Sequence, residues 1–310
     1  MFSHLIEKYY WLFFALGMAL GWFGSSFVSF LSPYILHMLV IVLFLTMLKI
    51  DAKDVFSNFK NPFTIIYLSA LILIISPIAF YYLVSLFLPP NYSFAILLLA
   101  AMPAGMSITA YAGIFKGNAS LALTLTMVTS LLAPFTVPSI IYFLTGNSLQ
   151  INVFEMLALL AEIIFAPFFL SALVRKIAAK QINRTEKHFR PVSILFITMI
   201  MAASIAKISG KPLELNFLWV VVSFLFVLAA ALHIIGYYAA FWRGKADKIS
   251  SSLAVAYMNS TLAIVLASSF FSPETLLAII LYMFPTNIVL ILFGWIVDRK
   301  KAKPVRNLRV

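Results

Sequence analysis

The sequence predicts an all-α membrane protein of ten transmembrane helices, laid out as a five-plus-five inverted repeat. Three observations predict it: the composition, the spacing of the apolar runs, and the placement of the basic residues. Of 310 residues, 63% are hydrophobic and 10% charged, with a mean hydropathy of +1.04, far outside the range of a soluble domain. The chain has no cysteine, which excludes disulfides, thiolate metal sites and cysteine nucleophiles.

Apolar runs of roughly 20 residues, the length needed to cross about 30 Å of hydrocarbon, lie near 9–28, 33–50, 62–88, 94–115, 118–144, 151–175, 190–207, 216–242, 249–271 and 273–297. The first carries one preceding lysine and no small-residue cleavage site, so it reads as a retained span rather than a signal peptide. Short turn-forming separators follow most of the others, including Pro89-Pro90-Asn91, Lys116-Gly117-Asn118 and Gly210-Lys211-Pro212. None of the separators could hold a soluble domain.

With both termini on the cytoplasmic side of the plasma membrane, all of the 22 basic residues except Lys207 and Lys211 fall in cytoplasmic segments. That bias fixes orientation by the positive-inside rule. It also assigns the net charge of +12 to topology and to the anionic lipid of the bilayer, leaving no call for a nucleic-acid partner. Residues 1–148 form the first repeat and 149–310 the second. Five spans per repeat, an odd number, require the second copy to insert upside down.

Two spans carry a break in the middle, each fourth in its half. The first is at Met102-Pro103-Ala104-Gly105-Met106-Ser107, where proline removes a backbone donor and the small residues let the chain unwind. The second is at Met258-Asn259-Ser260-Thr261. In hydrocarbon such breaks persist only where the freed groups face protein or a water-filled cavity, so the pair predicts a pocket at mid-membrane depth. The start of a half-helix at Gly105, Met106, Ser107 and Thr109 suits an anionic group, and Asn259, Ser260 and Asn287 offer amide and hydroxyl partners. Pro103, Gly105, Met106, Ser107, Thr109, Asn259, Ser260 and Asn287 are therefore the candidate substrate-binding residues.

Glu162 and His233 are ionisable groups placed inside spans, where such groups are costly and functional by default. With Thr126 they are the candidates for ion coupling. Thr124, Thr126 and Thr129 can also satisfy their hydroxyls against their own helix. Gly17 and Gly21, four apart, either allow close helix approach or are two small residues facing lipid. The spans contain no aspartate pair, His-x-x-x-His pair or metal cluster, so the chain reads as a non-enzyme without cofactor or metal.

Phe44-Leu45-Thr46-Met47-Leu48-Lys49-Ile50-Asp51 with Phe56 and Asn61-Pro62, Ser76-Pro77, the stretch from Met102 to Pro138, Leu232-His233 with Gly236, and Met258-Asn259-Ser260 with Leu262-Ala263 together resemble the bile acid:sodium symporter family across nearly the whole chain. The resemblance implies a panel of spans 1, 2, 6 and 7, a core of spans 3–5 and 8–10, and two broken helices crossing at the site. It also implies sodium-driven uptake of an organic anion, such as a bile acid or a small carboxylate. Thr126, Asn259 and Asn287 match the family pattern. Ala254, however, stands where the family has a sodium-binding glutamate, and Met258, Ile72, Ile108-Thr109 and Ala122 replace other polar positions. A hard cation needs several oxygens and gains most from a nearby negative charge, so sodium coupling is expected to be weak or lost. An auxin-efflux-type carrier, or a proton-coupled or facilitative carrier using Glu162, is the alternative reading.

Overall fold

The computed structural model describes residues 9–50, 62–146, 151–213 and 216–299, all helices and connecting turns apart from one isolated two-residue bridge. The Asp51, Phe56 and Asn61 part of the family resemblance lies outside the described residues, as do both chain ends. Among the described residues, six helical stretches are long and apolar enough to cross a membrane: Ser25–Met47, Pro62–Ser85, Ala119–Thr145, Val153–Ala206, Leu218–Ala239 and Pro273–Val297. Trp11–Phe23, Pro90–Ala101 and Ser260–Phe270 are shorter apolar helices. A chain this apolar, built of helices that satisfy their own backbone bonds, is an integral membrane protein.

Four helices form one packed set. Helix α1 (Tyr10–Phe23) lies on α8 (Phe189–Ala206), and α2 (Ile35–Met47) packs against both α7 (Val153–Thr185) and α8. The contact between α1 and α8 explains Gly17 and Gly21. A Cβ at Gly17 would sit 2.8 Å from the Thr198 carbonyl oxygen, and one at Gly21 2.5 Å from that of Ala202. The pair is thus a helix-packing face in which small residues let backbones approach. Arg175 of α7 donates to the carbonyl of Leu48 at the end of α2, the end where a cation is favoured.

The basic segment 175–190, between the apolar runs 151–175 and 190–207, is helical rather than a turn-forming separator. Helix α7 continues to Thr185 through a kink at Ala178 (φ −124°, ψ 28°), and a 3-10 turn over Glu186–His188 leads directly into α8. The residues there (Lys, Arg, Ala, Gln) are good helix formers with no glycine or proline to stop the chain, so leaving the apolar region does not end the helix.

The second set holds α3 (Pro62–Ser85), α4 (Pro90–Ala101), α5 (Ile108–Ile114), α6 (Ala119–Thr145), α9 (Leu218–Ala239), α10 (Lys245–Ala256), α11 (Ser260–Phe270), α12 (Pro273–Leu281) and α13 (Met283–Arg299). A π-helical turn at Leu71–Ile75 interrupts α3 just before Pro77, whose ring crowds the carbonyl of Leu73. Helices α9 and α10 approach closely at Gly236, where a Cβ would lie 2.8 Å from the Cα of Ser252. Fully buried Ser251 and Ser252 line that contact, while Ser250 turns the other way and donates to Asn118 O at 2.8 Å. The expected span over 273–297 is one stretch long enough to cross, with an interruption at Tyr282 between α12 and α13 where Pro285 has no N–H to give Leu281; the next residue, Thr286, makes the ordinary bond to the Tyr282 carbonyl at 3.1 Å.

Candidate functional site: the crossing of two broken helices

Helix α4 stops at Ala101, and Met102 turns extended (φ −68°, ψ 146°) ahead of Pro103, the conformation a following proline favours. Helix α10 stops at Ala256, and Tyr257 (φ −102°, ψ 81°) and Asn259 (φ −74°, ψ 78°) flank a shorter break. The two breaks meet. Ala104 and Met258 form an isolated antiparallel bridge. Around it Gly105 N–H donates to the Tyr257 carbonyl at 2.7 Å, and Asn259 N–H donates to the Pro103 carbonyl at 2.9 Å. Gly105 is required there, since a Cβ would come within 2.9 Å of the Tyr257 oxygen.

The unwound backbone is therefore partly satisfied by its counterpart, which is how irregular chain survives in an apolar interior. Helix α6 supplies the rest. The hydroxyl of Thr129 donates to Leu125 O at 2.7 Å and accepts from Ala104 N–H at 3.1 Å. Thr126 donates to Ala122 O at 3.0 Å, with Gly105 O at 3.4 Å. The N–H groups of Ala104 and Gly105 are thus taken, contrary to the expectation of a wholly free helix start. Met106 and Ser107, the next two N–H groups, make no hydrogen bond among the described residues. Beside them the buried Thr109 hydroxyl has no partner.

At the second break Asn259 spends its side-chain oxygen on its own helix, accepting from Leu262 N–H at 3.1 Å, an N-cap. Its Nδ2 group is left to donate elsewhere. Asn287 of α13 is brought to the same place, since its Oδ1 accepts from the Tyr257 hydroxyl at 3.3 Å while its Nδ2 donates to Met283 O at 2.6 Å. Tyr257 in turn lies 3.3 Å, hydroxyl to hydroxyl, from Tyr111 of α5. The crossing thus gathers Pro103, Gly105, Asn259, Thr126 and Asn287 through direct bonds, with Met106, Ser107, Thr109 and Ser260 adjacent in the chain. Sequence reasoning missed Tyr111, Tyr257 and the capping role of Thr129. The only sequence signal for the tyrosines was their position within a few residues of each break.

Two candidates sit elsewhere. His233 of α9 is buried, with Nδ1 3.0 Å from Ser252 Oγ, and it stacks on Phe293 at 4.6 Å. Ser252 gives its one proton to His233 O at 2.8 Å, so Nδ1 carries the ring proton and Nε2 is a buried acceptor with no partner. Glu162 lies on the exposed stripe of α7 with Ala158, Ala166 and Phe169. That helix packs against α2 and α6 rather than against the crossing.

The two sides of the crossing differ. Thr275 Oγ1 donates to Asn91 O at 2.7 Å, so α4 and α11 lead to one membrane face. Asn118 donates through Nδ2 to Asp247 Oδ1 at 2.8 Å, so α5 and α10 lead to the other. On the first face α11 packs against α2 and α8, and Lys207 Nζ donates to Ser268 O at 3.3 Å. On the second face, α5 and α10 pack against α6 and each other, and Ser107, Ala110 and Ile114 form an exposed stripe along α5. On the Lys207 side the two sets of helices are therefore in direct contact.

Known proteins place this architecture. The chain is 23% identical over 278 residues, 87% of its length and 85% of the relative's, to the Uncharacterized sodium-dependent transporter YocS of Bacillus subtilis (strain 168). It is 25% identical over 218 residues (67% and 69% of the two chains) to the Uncharacterized protein YbaS of the same organism. It is also 26% identical over 204 residues, 63% of this chain and 50% of the relative, to the Probable sodium/metabolite cotransporter BASS5, chloroplastic, of Oryza sativa subsp. indica. The family profile described as Sodium Bile acid symporter family matches residues 36–211, more than half of the chain and a stretch that includes the first break and its capping helix. The chain therefore belongs to the Sodium Bile acid symporter family, a family of transporters and not of enzymes.

Proposed function

We propose that the protein is a secondary transporter that moves a small organic anion, a bile-acid-like compound or a small carboxylate, by alternating access at the crossing, with sodium coupling weak or lost. The observation that carries the reading is the antiparallel bridge between Ala104 and Met258. It aims the starts of α5 and α11 at one spot and leaves the N–H groups of Met106 and Ser107, the Thr109 hydroxyl and the Asn259 amide around it. Oriented donors at helix starts suit an anion, and no basic side chain is needed. In this reading α4 with α5, and α10 with α11, each count as one of ten spans in two inverted repeats. The set α1, α2, α7 and α8 is the panel, the rest is the core, and both termini face the cytoplasm. The Lys207 side is then extracytoplasmic, so the arrangement is inward-facing.

The weak sodium coupling rests on burial. Ile72, Ile108, Ala122, Ala254 and Met258, the positions where the resemblance implies polar ligands, all lie in the continuous hydrophobic core at 3% exposure or less. Thr126 and Thr109 keep hydroxyls, and backbone carbonyls remain. A monovalent cation there would meet no formal negative charge. Glu162 is too far round α7 to supply one at the crossing, so a proton-coupled cycle through it would need a route outside the bridge.

The test is a thermal-stability screen of the purified protein against taurocholate, pantoate, phenylacetate and indole-3-acetate, each in sodium and in potassium buffer at pH 5 and pH 8, followed by uptake of the stabilising acid into liposomes. Stabilisation and uptake that are equal in both buffers are expected. Uptake that stops without sodium would overturn the coupling claim, and movement of indole-3-acetate with phenylacetate, taurocholate and pantoate all ignored would favour the auxin-efflux-type alternative.

A further inference from the structure

We propose that Tyr111 and Tyr257 are the specificity element of the crossing and that they select a flat, ring-bearing monocarboxylate over aliphatic acids of the same size. The inference rests on the transporter reading above and names its substrate class.

The tyrosines come from the two halves of the chain, one from α5 and one from the second break. Their rings meet edge to face at 5.0 Å and 69°. Tyr111 also stacks on Phe115 at 6.4 Å and 16°, and Phe115 meets Phe293 of α13 at 6.3 Å and 77°. A row of four rings thus runs from the bridge towards the face reached by α5 and α10. Tyr257, Tyr111 and Phe115 are each only partly buried, so ring surface remains available. The row is built into the backbone at Gly294, where a Cβ would stand 2.5 Å from the Phe115 ring. Any larger residue there would push that ring out of line.

The hydroxyls of the pair are ordered in one direction. Asn287 Nδ2 is committed to Met283 O, which turns its Oδ1 towards Tyr257. The Tyr257 proton goes to that oxygen, so the proton shared between the tyrosines comes from Tyr111. The wall beside the backbone donors therefore consists of aromatic faces and neutral hydroxyls. Such a wall gains little from a branched aliphatic body and more from a planar ring, which can pack offset or edge to face. A carboxylate at the helix starts and a flat ring against Tyr111 would use both features together.

Binding of phenylacetate, cyclohexylacetate and pantoate to the full-length protein, measured by calorimetry in sodium-free buffer, tests this. The first two acids share chain length and carboxylate and differ in the ring, which is flat and aromatic in one and puckered and saturated in the other. Phenylacetate is expected to bind about three- to tenfold tighter than cyclohexylacetate, the scale of an aromatic pair. Tyr111→Leu should erase that ratio. Tyr257→Phe, which keeps the ring, should preserve the ratio while weakening all three acids alike, and it serves if Tyr111→Leu does not fold. Equal binding of phenylacetate and cyclohexylacetate, or a preference for pantoate, would overturn the tyrosine assignment and leave the organic-anion reading standing. Binding of none of the three, together with silence in the taurocholate and indole-3-acetate screen, would overturn both.

Discussion

The two breaks meet at one bridge, yet they are held open by different chemistry. The first spans Met102 to Ser107, contains proline and glycine, and borrows its caps from elsewhere: Thr129 of α6 takes the Ala104 N–H, and the second break takes that of Gly105. The second break is three residues long, has neither proline nor glycine, and is capped by its own Asn259. The first break takes its side-chain cap from another helix, whereas the second carries its own, although its Asn259 N–H still bonds Pro103 O and the Tyr282 hydroxyl reaches Ala256 O at 3.3 Å. In the transporter reading proposed above, the difference would put anion binding chiefly at the first break and alignment at the second. The shared bridge makes each break a template for the other, and that is where the comparison is most easily broken.

Gly105→Val is expected to have the largest effect. The added carbons would collide with the Tyr257 and Met258 carbonyls and remove the bond from Gly105 to Tyr257, leaving a buried acceptor unpaired at a cost of about 1–3 kcal/mol before any strain is counted. A fall in melting temperature together with loss of anion binding is expected. A variant that melts and binds like the parent would mean that the bridge is incidental.

Thr129→Val tests the borrowed cap by itself. It leaves Ala104 N–H buried without an acceptor, again about 1–3 kcal/mol, while Thr129→Ser should restore most of the stability. Asn259→Ala should cost less, about 1 kcal/mol, the usual value of an N-cap. Asn259→Asp should keep the cap but remove the Nδ2 donor and weaken anion binding. Thermal melts of the four variants rank the two breaks. If Asn259→Ala proves more damaging than Thr129→Val, the second break is the dependent one and the comparison reverses.

The breaks were legible in the sequence because backbone chemistry writes them there: Pro103 with Gly105 in one span, three polar residues at Asn259 in another. Gly17 and Gly21 were legible only as one of two readings, and the fold, with α1 lying on α8, decides for close helix approach. The Thr129 cap was not, because a threonine that bonds its own i−4 carbonyl looks the same whether or not its oxygen also accepts a distant N–H. The tyrosine pair was hidden because aromatic residues are abundant in this chain and only the fold aligns Tyr111 with Tyr257. Glu162 was misleading for a related reason. In a helix as uniformly apolar as the middle of α7, depth can be read from position, but the side that faces neighbours cannot, and Glu162 is on the exposed stripe. The helical run through 178–185 was missed because hydropathy marks where the membrane stops, not where the helix does.

The smallest expected effect on stability belongs to Lys207, and it extends the comparison from the breaks to the two membrane faces. Its ammonium reaches Ser268 O in the last turn of α11, where carbonyls are unpaired and a cation is favoured, so one half-buried contact joins the panel helix α8 to the core. Lys207→Met keeps the stem and removes the charge, and a partly solvated contact of this kind is worth about 1 kcal/mol or less, too little to unfold the protein. It is nonetheless enough to shift a conformational equilibrium several-fold, because about 1.4 kcal/mol is a factor of ten. Because the chain has no native cysteine, single reporters read that shift cleanly. Ser204→Cys, fully buried one turn before Lys207 on the same side of α8, reports the closed face, and Ser107→Cys reports the open one. With Lys207→Met, a water-soluble maleimide added to the purified protein in detergent should label Ser204→Cys faster and Ser107→Cys more slowly. Unchanged rates at both positions would show that the closure on this face is held by apolar packing of α11 against α2 and α8, with the lysine a bystander.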